Sequence, residues 1–164
     1  MNLAPTGRFT EGKTIPQSLS NILVHIIFST KNRNKLITAE IESELQAYLV
    51  SICRSHDSAS LKIGGIEDHV HILCKLSRTI TIADLVQKIK TGSSKWIKTK
   101  GSLYSRFSWQ SGYGAFSIGN SNLWATIKYI EGQKKHHQRK SFKDEYRAFL
   151  KKYEIEYDEK YVWD

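Results

Sequence analysis

The chain has 164 residues, 40% of them hydrophobic, enough for one domain with a packed core and too apolar for wholesale disorder. Lysine and arginine total 25 against 16 acids, a net charge of +9 that points towards polyanions or towards a basic surface kept for solubility. No apolar run is long enough to span a membrane and no signal-peptide core opens the chain, so a cytoplasmic protein is expected.

Met1–Pro16 is polar, with two glycines, two prolines and no periodicity, and reads as a flexible N-terminal arm; the single folded domain spans 17–164. Asn21–Thr30 (NILVHIIFST) is a dense β-branched run and predicts a central strand. A basic loop, Lys31–Lys35, leads to Thr38, which is expected to cap a helix with Ile41, Leu45, Tyr48, Leu49 and Ile52 on one face. Leu61–Ile66 and His69–Leu76 are strands joined by a tight turn at Glu67–Asp68. Cys53 falls in the helix and Cys74 in the strand, without metal-type spacing, and both read as buried thiols.

Thr81 with Asp84 three residues later starts a second helix, which buries Leu85, Val86 and Ile89 and is expected to be interrupted at Gly92-Ser93-Ser94. A Ser/Gly-rich loop precedes a short strand at Tyr113–Ile118. Asn120 or Ser121 caps a helix running to about Lys135, and Ser141 caps the last, with Phe142, Tyr146, Phe149, Leu150 and Tyr153 on one face. The order is β-α-β-β-α-β followed by further helices. That is an α/β (α+β) ferredoxin-like unit, an antiparallel sheet with two helices on one face and additional C-terminal helices.

Three groups of residues carry chemistry. His69 and His71 alternate along a strand, so both imidazoles project to one face, a half-site for a divalent metal or a pair of surface histidines. Tyr129 and Gln133 stack at i and i+4, off the apolar stripe of Leu123, Ile127 and Ile130. A phenol attacks phosphorus when a base or metal helps with its proton, and a glutamine oxygen ligates hard cations; the alternative is an ordinary helix surface. His136 and His137 follow near the same side, either tuning the site, binding phosphate or standing in solvent, and the solvated reading is preferred. His25 points out from the first strand as a structural histidine or a wall of the cleft. The third group is basic and aromatic: Lys31, Arg33 and Lys35, then Lys88, Lys90, Lys95 and Lys98, then Arg106, Phe107 and Trp109, with Lys134 and Lys135 beside the tyrosine. Cations interleaved with rings suit unpaired bases, although lysines on a helix also make an ordinary solvated face.

In this order the segments HIIFSTKNR, DHVHILCKL, SSKW, WQSGYGAFSIG, YIEGQKKHH, SFKDEY and YVWD resemble the HUH-type single-tyrosine transposases of the smallest bacterial insertion sequences. The resemblance covers nearly all of 17–164. It implies that His69, His71 and Gln133 ligate Mg²⁺ or Mn²⁺ and that Tyr129 attacks the scissile phosphate, giving a 5′-phosphotyrosine and a free 3′-hydroxyl. It implies a substrate of single-stranded DNA with hairpins at the element ends. It also implies a homodimer in which the tyrosine helix of one subunit can complete the site of the other.

Among the eight tyrosines, Tyr48, Tyr146 and Tyr153 lie on apolar faces, Tyr104 in a loop read as flexible, Tyr113 at a strand start, and Tyr157 and Tyr161 in an acidic tail. Tyr129 alone has an oxygen ligand at i+4. Two other readings are a domesticated relative that processes chromosomal repeat hairpins and a non-catalytic module binding RNA or single-stranded DNA. The second has no need of His69, His71, Tyr129 and Gln133 together.

Overall fold

The computed structural model describes residues 17–164, so the arm read over Met1–Pro16 lies outside the described residues. Four strands, β1 (Leu23–Ser29), β2 (Ser60–Ile66), β3 (His69–Lys75) and β4 (Gly114–Ile118), form one sheet in the order β2-β3-β1-β4 with every neighbouring pair antiparallel. Helix α1 (Ala39–Ser55) joins β1 to β2 and α2 (Ile82–Lys98) joins β3 to β4. This is the expected ferredoxin-like arrangement. Three helices follow: α3 (Leu123–Glu131), the single turn α4 (Gln133–His136) and α5 (Phe142–Lys152). No helix among the described residues is long and apolar enough to cross a membrane.

Strand alternation divides the two central strands into two chemically different faces. Val24, Ile26, Phe28, Val70, Ile72 and Cys74 face α1 and α2 and pack with Leu45, Leu49, Leu85 and Ile89 in the main core. Each fully buried side chain of this kind contributes roughly 1.5–3 kcal/mol. That face therefore holds the sheet together and leaves the other free to carry polar groups. Ile27, across the sheet on the other side, packs with Phe116, Phe142, Tyr146 and Leu150 in a smaller cluster under α5. The register sets Ile27 opposite His71 and Ser29 opposite His69, so both histidines lie on this second, C-terminal-helix face. It is covered rather than half-exposed, and His69 and His71 are fully buried.

Several local expectations are corrected. Gly92-Ser93-Ser94 does not break α2, because Ser93 is buried in it, donating to the Ile89 carbonyl and accepting from Trp109 Nε1 at 2.9 Å. Thr38 begins α1 without a side-chain cap, because its hydroxyl pairs with that of Tyr104 at 2.6 Å. Tyr104 is accordingly buried in the core and is not a residue of a flexible loop. The helix read to Lys135 is divided at Gly132 into α3 and α4. The caps expected at Thr81 and Ser141 are present, each hydroxyl accepting from the backbone N–H three residues on. Burial pushes the thiols of Cys53 and Cys74 up to about 11 and about 12, which makes both poor nucleophiles.

Candidate active site

The histidines enter a pocket roofed by the three C-terminal helices, and each ring is held from outside. Asp68 ends the β2–β3 turn with Oδ1 2.7 Å from His69 Nδ1. His25, two residues along β1 from Ile27, brings Nε2 to 2.8 Å from His71 Nδ1. Both Nε2 atoms are thereby turned inwards, the way a carboxylate or a second ring orients a metal-ligating imidazole. Burial lowers His25 to about 3 and, despite the opposing charge of Glu145, His71 to about 4. Both rings are therefore neutral near pH 7, with lone pairs available.

Gln133 and Tyr129 reach the same point from α4 and α3. Gln133 is buried, with Oε1 3.1 Å from His69 Nε2. A neutral imidazole donates from one ring nitrogen only. When His69 donates to Asp68, its inward lone pair faces Gln133 Oε1 and, at 3.6 Å, Glu145 Oε1. His69, His71, His137 and Glu145 each offer one ligand atom, and all four atoms lie within 4.8 Å of one another. The cluster is compatible with a divalent metal.

Glu145 is the central residue that the sequence reading missed. It is 1% exposed and lies on α5 between Phe142 and Phe149, within that helix's apolar face. A single acid inside an apolar stripe was the available signal. Oε1 is 3.0 Å from His71 Nε2, while Oε2 accepts from the Tyr129 hydroxyl and from Gln133 Nε2. Burial opposes its charge, but His137, His71 and Tyr129 outweigh that and hold the carboxyl well below the usual carboxylate range. Burial, with the Glu145 charge beside it, pushes the Tyr129 phenol above its ordinary range.

The side chain of His137 is buried, contrary to the preferred reading, whereas that of His136 stays 32% exposed at the edge of the site. His136 Nε2 lies 3.5 Å from the Tyr129 hydroxyl, and the His137 ring centroid is 4.5 Å from that of His69. A cleft of about 360 Å³ opens beside the Tyr129 ring, with His25, His136, Glu145, Lys140 and Lys152 in its walls.

The proposed DNA contacts divide into two groups. Lys31, Lys35, Lys95, Arg106, Lys134 and Lys135 are exposed. Arg33 is half-buried, donating to the Trp163 carbonyl, and Lys134 pairs with Glu42 at 2.8 Å. Lys31–Arg33 form a single turn at the His69 end of β1. Trp109 is corrected: it is 6% exposed, wedged edge-on against Phe28 and Phe107, and has no free face for a base. Phe107 is likewise core.

A buried histidine pair on a ferredoxin-like sheet is met by a tyrosine from α3 and a glutamine from α4. The sequence profile of the family described as transposase, IS200 like, matches residues 18–133, and the chain belongs to that family. It is thus a DNA transposase. The ISDra2 transposase TnpA of Deinococcus radiodurans is 24% identical over 114 residues, which are 66% of this chain and 81% of the relative. Two solved structures share the fold. One is a protein of Deinococcus radiodurans R1 described as a candidate transposase, with a TM-score of 0.58 at 20% identity over 74% of this chain and 98% of that one. The other is a REP-associated tyrosine transposase bound to a REP hairpin, with a TM-score of 0.56 at 14% identity over 77% of this chain and 74% of that one. The family match ends at Gln133, so His136, His137, Lys140 and Glu145 lie beyond it.

Proposed function

We propose that the protein cleaves and rejoins single-stranded DNA at insertion-sequence ends through a covalent link to Tyr129. The observation that carries this reading is the convergence of the Tyr129 hydroxyl, Gln133, His69 and His71 on one buried carboxylate. His69, His71 and Gln133 would hold Mg²⁺ or Mn²⁺, which would neutralise and polarise the scissile phosphate when bound. The Tyr129 oxygen forms a bond to phosphorus, the bond from phosphorus to the 3′-oxygen breaks, and that oxygen leaves as a 3′-hydroxyl, the proton it gains balancing the one the phenol gives up. Because its proton is tightly held, the phenol stays neutral until attack, and its hydrogen bond to Glu145 Oε2 orients it. One phosphodiester replaces another, so the step is nearly isoenergetic, needs no nucleotide, and reverses when another 3′-hydroxyl enters.

The exposed cations at Lys31, Lys35, Lys95, Arg106 and Lys135 suit a DNA backbone. The protein is further proposed to act as a homodimer, through the outer edge of β4. Tyr129 reaches the histidines of its own chain, so exchange of the tyrosine helix between subunits is not required to assemble the site. A second reading, processing of chromosomal repeat hairpins, draws support from the likeness to the hairpin-bound transposase and uses the same chemistry.

The test is nicking of a hairpin-bearing single-stranded oligonucleotide with Mg²⁺ or Mn²⁺. Cleavage is expected with the wild-type chain and lost with chelator or in a His69→Ala, His71→Ala variant. Full cleavage by that variant in chelator would contradict the metal site. Binding of RNA or DNA without any nicking would favour a non-catalytic module.

A further inference from the structure

We propose that the C-terminal helices complete the metal centre, with His137 and Glu145 as ligands beside His69, His71 and Gln133, and that this donor set selects a transition-metal ion over Mg²⁺. The inference rests on the metal reading above and extends it to residues beyond the family match.

Two observations carry it. The first is His137 Nε2. Its side chain is 3% exposed, and the nitrogen lies 3.2 Å from Glu145 Oε2 without the geometry of a hydrogen bond. A buried polar atom left unpaired costs roughly 1–3 kcal/mol, so a fold that aims one into a cluster of donors implies a partner there. The second is Glu145 Oε1, 3.0 Å from His71 Nε2 and 3.6 Å from His69 Nε2. An ion ligated by both histidines has this oxygen as a neighbour. The other oxygen remains on Tyr129, so one carboxylate joins the ion to the hydroxyl that attacks.

The composition of the set decides the metal. Mg²⁺ takes oxygen ligands in a near-ideal octahedron and keeps several waters. Three imidazoles with one carboxylate and one amide oxygen are instead suited to Mn²⁺, Co²⁺, Ni²⁺ or Zn²⁺.

The experiment is calorimetric titration of the full chain with MnCl₂ and with MgCl₂, with cobalt absorption spectra of the same variants. Wild type is expected to bind Mn²⁺ at least about a hundredfold more tightly than Mg²⁺. Glu145→Gln and His137→Ala are each expected to weaken Mn²⁺ by at least about tenfold, and each to change the visible cobalt bands, which report the ligands directly. Unfolding curves of the metal-free variants identify any that fail to fold, and the cobalt spectrum of the folded one then decides. If both variants bound Mn²⁺ as wild type does with unchanged cobalt spectra while His69→Ala bound none, the metal reading would stand and this proposal would be overturned. Equal affinity for Mg²⁺ and Mn²⁺ would overturn the selectivity. If His69→Ala kept wild-type affinity, both would fail.

Discussion

The hydroxyl of Tyr129 on α3 donates to Oε2 of Glu145 on α5, joining the proposed nucleophile to a carboxylate sixteen residues further along the chain. The contact sets the direction of the phenol, and it makes the last helix part of the site. Removing the carboxylate takes away the group that orients the phenol and releases the ring. Glu145→Ala is therefore expected to slow single-turnover cleavage by about 10²-fold while hairpin DNA still binds. Wild-type cleavage by a folded Glu145→Ala protein would remove Glu145 from the reaction.

His25 acts one step further out. It touches neither Tyr129 nor Glu145 through a hydrogen bond, yet it fixes the ring of His71 through Nδ1. His25→Ala leaves that ring free to rotate and is expected to weaken metal binding by about 10–100-fold, measured by Mn²⁺ titration. An unchanged affinity would mean that packing alone orients His71.

Gly64 on β2 lets the tyrosine helix approach the sheet. A Cβ there would sit 2.7 Å from Ile130 Cγ2 and 2.8 Å from the Ile130 backbone oxygen, and backbone cannot swing aside as a side-chain tip can. Ile130 is adjacent to Tyr129 on the same helix. Gly64→Ala is expected to cost about 1–3 kcal/mol in denaturant unfolding and to depress cleavage further by lifting Tyr129 from the histidines. A variant with wild-type stability and activity would show that α3 accommodates the methyl group.

The sheet and its helices were legible because their signals are local: β-branched runs, alternation at His69-Val70-His71, and capping pairs at Thr81–Asp84 and Ser141–Asp144. The same alternation shows that His69 and His71 share a face. What the sequence hid depends on chain folding across long separations. Nothing near His71 indicates that Glu145 closes over it, and Phe142, Tyr146, Phe149 and Leu150 around it read as a helix packing face. Trp109 was misread for the converse reason. A ring among cations in sequence looks like a stacking platform, and only the hydrogen bond of its indole to Ser93 reveals a core residue.

Lys140 and Lys152 line the cleft beside Tyr129. If single-stranded DNA enters there, Lys140→Ala with Lys152→Ala should weaken binding and reduce the slope of log affinity against log salt by about 0.7 for each lost contact. Fluorescence anisotropy across a salt series measures it. An unchanged slope would direct the strand to the Lys31–Lys35 side instead.

The proposed nucleophile is the hydroxyl oxygen of Tyr129. Hairpin-bearing single-stranded DNA is labelled on either side of the nick, incubated with protein and divalent metal, and run on denaturing gels. Wild type is expected to carry only the downstream label, as a 5′-phosphotyrosine requires. Tyr129→Phe, lacking one oxygen, is expected to bind the hairpin normally and to trap no label at all. If Tyr129→Phe still carried the downstream label, the nucleophile would be another residue and the assignment of this site would be wrong.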